Sequence, residues 1–386
     1  MSPKRRLPTE LTVLTGAKVV SNTALRWVGP FLPTLERAFS TTTGTLTGVM
    51  GVCELGGLST VATGHTLDRG HERRVFTLGL VAVAVSSLVA LTGTVSSFAV
   101  SFAILIVGVS NLTVAGHAWI GHRVPFAARG RAIGTFEMSW AIALLVGAPV
   151  LAGLIAWVGW RGPYVALAVV SLAAALMVTT IVRSEAPHLV AAAPAQPPGP
   201  RPSLPRSAWA PMVGSALTAA AGLGTFVVSG AWLDDAYGVS TGGLGVVAAA
   251  FGVVELISST TVATRGDRFG ARRSVLAGLG LLMVGVAVMW SANDSRTLAV
   301  AGLLVFLTGF EFGFVSSLTL VSEASPLARG RAIGLSNAMG TIARATSVFV
   351  GGQLYEAYGM SGTLSMVAAC ATAAALAILA VRPPPP

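Results

Sequence analysis

The sequence predicts an all-α integral membrane protein: twelve transmembrane helices forming two six-helix bundles related by a pseudo-two-fold repeat. Three observations carry this. The 386 residues are 53% hydrophobic and only 10% charged, against about 25% charged in ordinary globular chains, too few polar side chains to coat a water-facing surface. Apolar runs of about 20 residues, the length a bilayer-crossing helix needs, recur along the whole chain. Short motifs of the first half return, in order, in the second.

The runs fall at 11–35, 44–66, 75–93, 97–120, 131–157 and 162–182, then at 209–233, 242–264, 274–291, 298–321, 331–355 and 361–381. The first follows Lys4, Arg5 and Arg6 as a signal peptide would. It is too long, holds Lys18 and Arg26, and lacks a small-residue cleavage site, so it reads as a helix. Between the halves, Pro187, Pro194, Pro197, Pro198, Pro200, Pro202 and Pro205 stand among Ala and charge. Such a stretch cannot continue a helix and reads as a semi-rigid linker. The expected organisation is a bundle at 1–182, a linker at 183–208 and a bundle at 209–386, with Pro383–Pro386 closing the last span.

The net charge of +10 invites a nucleic-acid surface, but the positions of the charges exclude one. Of the 25 Lys and Arg, Arg37, Arg161 and Arg296 lie in loops on one side, and Lys18, Arg26 and Arg344 lie inside spans. All the others fall in the termini, the linker and the loops of the opposite side. Basic residues stay on the cytoplasmic face, so both termini and the linker are expected there, in a multi-pass cell (inner or plasma) membrane protein. Cys53 and Cys370 lie far apart in apolar runs and supply neither a disulfide framework nor a metal site. No cofactor is expected.

The internal repeat is exact in places. Ala128-Arg129-Gly130-Arg131-Ala132-Ile133-Gly134 returns letter for letter as Ala328-Arg329-Gly330-Arg331-Ala332-Ile333-Gly334. Gly51-Val52-Cys53-Glu54-Leu55 returns as Gly252-Val253-Val254-Glu255-Leu256, and Asp68-Arg69 with Arg73-Arg74 as Asp267-Arg268 with Arg272-Arg273. A parallel six-plus-six repeat is a transporter architecture.

These residues resemble the major facilitator superfamily over the whole chain, in particular its bacterial drug and metabolite efflux permeases. The superfamily's signature between helices two and three, G-x-L-A-D-R-x-G-R-R/K, is matched by Gly64, Asp68, Arg69, Arg73 and Arg74. Thr66 stands where Leu is usual, and His71 and Glu72 replace the Gly and the first basic residue. The second copy keeps Asp267, Arg268, Gly270, Arg272 and Arg273, with Ala263 for the first Gly. Arg129, Arg131, Arg329 and Arg331 resemble the other cytoplasmic loop motif, and Gly147, Pro149 and Gly153 an antiporter-associated element. Two departures stand out. Ile104 replaces the fourth-helix Arg of proton-coupled drug exporters, and the first helix has Lys18 and Arg26 where those often have an Asp. The resemblance implies that Asp68 locks against the N-terminus of helix eleven near Arg331 in an outward-facing state, and Asp267 against helix five near Arg131. The alternative for the same loops is membrane charge preference together with turn geometry. Gly134 and Gly334 are expected to allow close helix approach.

The sharpest signal is which spans hold ionisable groups. Lys18 and Arg26 lie in span one, Glu54 in two, His117 in four, Glu137 in five, Glu255 in eight, Glu311 in ten and Arg344 in eleven; spans three, six, nine and twelve have none. An ion in the membrane costs about 2.5–3.5 kcal/mol on insertion scales, so it should face protein or a water-filled cavity. The near balance of three cations and four carboxylates favours internal pairing. Glu54 and Glu255, at equivalent depths, are candidates for proton coupling, for holding a cationic substrate group, or for bracing Arg26 or Arg344. Glu311, opposite Asn111 in the repeat, is a coupling or substrate candidate, and Arg26 the candidate central residue. Glu137 suits a gating salt bridge, Lys18 is expected to snorkel toward the cytoplasm, and His117 reads as a packing histidine or a titrating group. Trp157, Trp160 and Tyr164 are expected at the outer interface.

The expected function is secondary active transport by alternating access, proton-coupled and exporting small, partly apolar compounds. An uptake carrier or facilitator for a small, possibly anionic metabolite is the alternative, and a lipid flippase a more remote one. No H-E-x-x-H or P-loop spacing appears, so no enzyme is expected. Partners are then a small-molecule substrate, protons and the lipid bilayer, with the chain a monomer and no nucleic acid bound.

Overall fold

The computed structural model describes residues 3–183, 204–324 and 328–381, with the side chains of residues 3–6, 263, 265–269, 329 and 330 excepted. Almost all the Pro-rich stretch expected to be a linker, with the C-terminal prolines, therefore lies outside the described residues.

The described chain is helical, without strands, and makes twelve passes. Pass α1 runs Pro3–Arg26 and resumes as Leu32–Phe39; α2 runs Thr43–Glu54, a 3₁₀ stretch Leu55–Ser59 and Thr60–Asp68. Next come α3 (Glu72–Ala90), α4 (Val95–Arg123), α5 (Phe126–Ile142, a π-helical turn Ala143–Gly147, then Ala148–Val158) and α6 (Arg161–Ile181). The second half holds α7 (Trp209–Tyr237), α8 (Thr241–Phe269), α9 (Ala271–Trp290), α10 (Arg296–Glu323), α11 (Arg329–Tyr358) and α12 (Met360–Leu379). Ten passes are long and apolar enough to cross a bilayer by length and composition. The other two are α1, cut after Arg26, and α11, which carries Arg331, Arg344 and Glu356.

Local chemistry sets the ends and the breaks. Thr94 and Ser97 form a reciprocal capping box at the start of α4, satisfying backbone donors that a helix N-terminus leaves orphaned. In α1, Gly29 and Pro30 fall in the gap after Arg26, as the low helix propensity of Gly and the missing N–H of Pro require. In α2, Gly56 and Gly57 occupy the 3₁₀ stretch. The π-helical turn of α5 directly precedes Ala148-Pro149, where proline cannot donate to the ladder.

The described residues form two compact units. One holds the residues to Val28 and those from Gly56 to 183, the other Gly29–Leu55 and the residues from 204 onward. The sequence repeat places the division between 182 and 209; the packing places residues 29–55 with the second half. The reason is in the breaks just described, since both crossings fall at or beside them. Leu14, Phe76, Leu112, Trp119, Phe136 and Val178 belong to the core of the first unit. In the second, Ala208, Met212, Val321 and Ala332 form a buried cluster.

Candidate functional site

Lys18, Asn22 and Arg26 are four residues apart and so lie on one face of α1. Each meets α5. Lys18 Nζ lies 2.7 Å from Glu137 Oε1, Asn22 Nδ2 donates to Ser139 Oγ at 3.0 Å, and an Arg26 NH donates to the Trp140 carbonyl at 2.9 Å. The Arg26 guanidinium also lies 5.4 Å from the Trp140 ring centroid. Helix α4 adds His117, whose Nε2 is 2.6 Å from the same Glu137 Oε1.

The lysine side chain is wholly buried, whereas those of Glu137 and His117 are 35% and 40% exposed. Lys18 therefore does not snorkel: its ammonium sits 4.2 Å from the Phe136 ring centroid with the carboxylate beside it. Burial of an ammonium is tolerable only with such a partner. Phe136 also stacks edge-on with His117 at 5.5 Å, fixing the imidazole. Both contacts of Glu137 fall on Oε1, and among the described residues Oε2 has no partner. The arrangement is one carboxylate oxygen shared by a buried ammonium and a part-exposed imidazole.

In the second unit Arg344 Nε lies 3.8 Å from Glu54 Oε2 and an Arg344 NH donates to Thr341 at 3.2 Å, the bracing geometry for Glu54. Glu255 is buried and Glu311 half-buried. In the first unit Asn111 donates to Ser59 Oγ at 2.8 Å and accepts from Thr63, tying α4 to the 3₁₀ stretch of α2.

The repeated Asp-Arg…Arg-Arg motifs do a job the sequence does not spell out. Arg73 donates to the Thr179 and Val182 carbonyls, at 3.0 and 3.1 Å, where α6 ends. Arg272 donates to those of Ile378 and Leu379, at 3.2 and 2.9 Å, where α12 ends. A helix C-terminus leaves four carbonyls unpaired and carries partial negative charge, so Arg73 closes the end of α6 and Arg272 that of α12. In the turns between, Gly70 has φ +79° and Gly270 φ +77°, a conformation that favours glycine. Gly70 thus serves the turn that His71 seemed to leave without a glycine. Arg73→Ala and Arg272→Ala are each expected to destabilise by about 1–2 kcal/mol, read as a lower thermal midpoint in detergent, with Lys restoring part.

Asp68, Arg69, Arg74, Arg131 and Arg331 are exposed, and Arg129 Nε donates to the Val124 carbonyl at 2.9 Å. The side chains of Asp267, Arg268 and Arg329 lie outside the described residues. A Cβ on Gly64, Gly134 or Gly334 would meet nothing within 4 Å, so the close approach expected at Gly134 and Gly334 does not occur among the described residues. Gly147 of the antiporter-like element does make one, since its Cβ would press on Thr23 of α1 at 2.5 Å.

One cluster escaped the sequence reading. Glu72, fully buried, bonds to His122 Nδ1 and lies 3.4 Å from an Arg123 NH. The signal was there: an acid in a basic position of the motif, with His122 and Arg123 ending the fourth span on the same side. Tyr164, expected at the membrane interface, is buried and packs edge-on against Trp27 at 5.1 Å.

No curated protein matches the chain. Among solved structures, a bacterial homolog of the human lysosomal transporter Spinster, inward-facing and occupied, superposes with TM-score 0.74 at 15% identity, covering 98% of this chain and 95% of that one. The unoccupied form of a bacterial Spinster homolog gives TM-score 0.71 at 16% identity, over 99% and 95%. A D-xylose-proton symporter gives 0.75 at 16% identity, with 98% of each chain covered. These likenesses are of fold. The family model for the Major Facilitator Superfamily matches residues 14–232 and 212–386, and with the twelve-helix fold and its repeated motifs this shows that the chain belongs to that superfamily of membrane transporters.

Proposed function

We propose that the protein is a proton-coupled exporter of small, partly apolar compounds, working by alternating access in the cell membrane with both termini in the cytoplasm. The observation that carries the proposal is Glu137, whose Oε1 is shared by buried Lys18 and half-exposed His117. A proton arriving at this trio has two basic acceptors, and its arrival changes how tightly Glu137 holds Lys18. Because α1 and α5 meet through that contact, the charge change acts on helix packing. Trp140, part-exposed beside the lysine, supplies apolar surface for a compound with a hydrophobic part.

The other intramembrane groups take supporting roles in this reading. Arg26 orients substrate from its place at the Trp140 carbonyl, the Glu54–Arg344 pair braces the second unit, and Glu255 and Glu311 are further coupling candidates. Asp68, with Arg69, Arg73 and Arg74, forms the inner gate in the outward-facing state; Asp267, Arg268, Arg272 and Arg273 repeat it, and Arg129, Arg131, Arg329 and Arg331 anchor the loops. The protein functions as a monomer. Proton use within this fold has support from the D-xylose-proton symporter among its structural neighbours, which couples proton and substrate by symport and not by the exchange proposed here.

A substrate screen on proteoliposomes with an imposed pH gradient tests this. Transport should follow the gradient in sign, and His117→Gln should flatten its pH profile. Transport indifferent to a collapsed gradient would leave a facilitator, and accumulation along the proton flux would make the protein a symporter.

A further inference from the structure

Passes α2 and α11 run antiparallel within the second unit, along a seam of small residues. A Cβ on Gly51 would lie 2.7 Å from the Ala345 carbonyl oxygen, one on Gly48 3.7 Å from the Phe349 ring, and one on Gly44 3.2 Å from Gln353 Nε2. Thr47, wholly buried, sits against Gly352 in the same seam. At the end opposite the basic loops, the seam closes on one carboxylate. Glu356 Oε2 accepts from the Gly44 backbone N–H at 2.7 Å and from Thr42 Oγ1 at 2.9 Å. Beside it, Gln353 Nε2 donates to the Gly44 carbonyl at 2.7 Å.

The electrostatics explain why the acid is there. Glu356 lies in the last turn of α11, where its own helix presents partial negative charge and disfavours it. Thr42 is the N-cap of α2 and Gly44 one of its first residues, where backbone donors are unpaired and the partial charge is positive. The acid at the end of one helix thus completes the start of the other. Glu356 borders an open concavity of about 770 Å³, which Glu36, Arg37, Asp235 and Tyr355 also line. Water-borne reagents can therefore reach it. Within that rim Arg37 pairs with Asp234 at 2.6 Å and Tyr355 donates to Asp235 at 2.8 Å.

We infer that Glu356 is the latch of the outer gate: its bonds to Thr42 and Gly44 hold the outer halves of α2 and α11 together and must break for the outside to open. This rests on the alternating-access part of the proposed function and on nothing in its proton chemistry. It also gives the α2–α11 pair a reciprocal design. Asp68 ends α2 and is the proposed inner lock on the start of α11; Glu356 ends α11 and caps the start of α2. One helix pair then carries a carboxylate lock at each end, and only one need be closed at a time.

The test uses the full-length protein in proteoliposomes, with Cys53 and Cys370 replaced by Ser. Thr47→Cys reports the seam and Ser171→Cys, wholly buried in α6, reports general loosening. A membrane-impermeant thiosulfonate is applied from the side opposite the termini. Glu356→Ala should raise the Thr47→Cys labelling rate about fivefold, equivalent to about 1 kcal/mol, and Thr42→Val, which removes one of the two contacts, should raise it about twofold. Ser171→Cys should stay slow in both. Unchanged Thr47→Cys labelling in both variants, or equal acceleration at Ser171→Cys, would overturn the latch. Labelling needs neither a substrate nor a pH gradient. The latch can therefore fail while proton coupling survives, and the reverse.

Discussion

Glu137→Gln is expected to abolish proton-driven accumulation while leaving substrate exchange at equal pH on the two sides. The side chain keeps its size and a carbonyl oxygen, so Lys18 and His117 retain a hydrogen-bond acceptor where Oε1 now stands. What disappears is the charge. Breaking a buried ion pair by removing one partner costs about 3–5 kcal/mol, and the wholly buried Lys18 is the partner left behind. If about 3 kcal/mol of that is what the coupling step uses, gradient-driven transport falls by about two orders of magnitude. Exchange requires only that the cavity alternate, which the neutral side chain permits.

Lys18→Met separates coupling from simple misfolding. It removes the buried cation and leaves Glu137 facing His117 alone. With Glu137→Gln it forms a pair in which the charge and its counter-charge are both gone, and replacing a buried pair with apolar groups is often neutral for stability. The double variant should therefore recover thermal stability lost by Glu137→Gln without recovering response to the gradient. Recovery of both would make the pair structural and move coupling to Glu54, Glu255 or Glu311. Retained gradient-driven transport in Glu137→Gln itself would do the same.

Much of this site was legible in the residues. Which spans carry charge, and that those charges nearly balance, followed from the cost of burying an ion. The spacing of Lys18, Asn22 and Arg26 states that they share a helix face. What a linear pattern cannot give is the partner: Lys18 and Glu137 are separated by three intervening helices, and only packing brings them together. The expectation that Lys18 snorkels failed for that reason, since a lysine with a carboxylate at 2.7 Å gains nothing by reaching for water.

The fold shows the same division. The twelve passes were readable from hydropathy, and Gly29-Pro30 and Gly56-Gly57 are breakers wherever they occur. That the segment between them packs with the second half rather than the first depends on shape complementarity along α11, which leaves no periodic trace. The roles of Arg73 and Arg272 were hidden in another way. A basic residue in a loop is explained well enough by membrane topology, so nothing prompts a search for helix ends that it could close.

Glycine substitution in the crossings of α3 with α4 and of α9 with α10 is expected to have the largest effect on stability. The two crossings are equivalents in the repeat and use the same device. A Cβ on Gly79 would lie 2.7 Å from the Gly108 carbonyl oxygen, and one on Gly278 2.8 Å from that of Gly309. In return, a Cβ on Gly108 would lie 3.0 Å from the Gly79 oxygen, and one on Gly309 2.6 Å from the Gly278 oxygen. The obstructing atoms are backbone on both sides, so no rotamer change can make room and the helices must separate. Membrane helices associate through such close packing rather than through a hydrophobic drive, and overpacking costs about 1–3 kcal/mol per site. Gly278→Ala and Gly309→Ala should each lower the thermal midpoint in detergent by an amount of that order, and Gly79→Ala should match Gly278→Ala. Gly134→Ala and Gly64→Ala, where a Cβ meets nothing within 4 Å, should leave it unchanged or raise it slightly, because alanine favours the helix by about 1 kcal/mol. If the two groups of substitutions behaved alike, helix propensity rather than backbone contact would be the reason these glycines matter, and the paired crossings would lose their explanation.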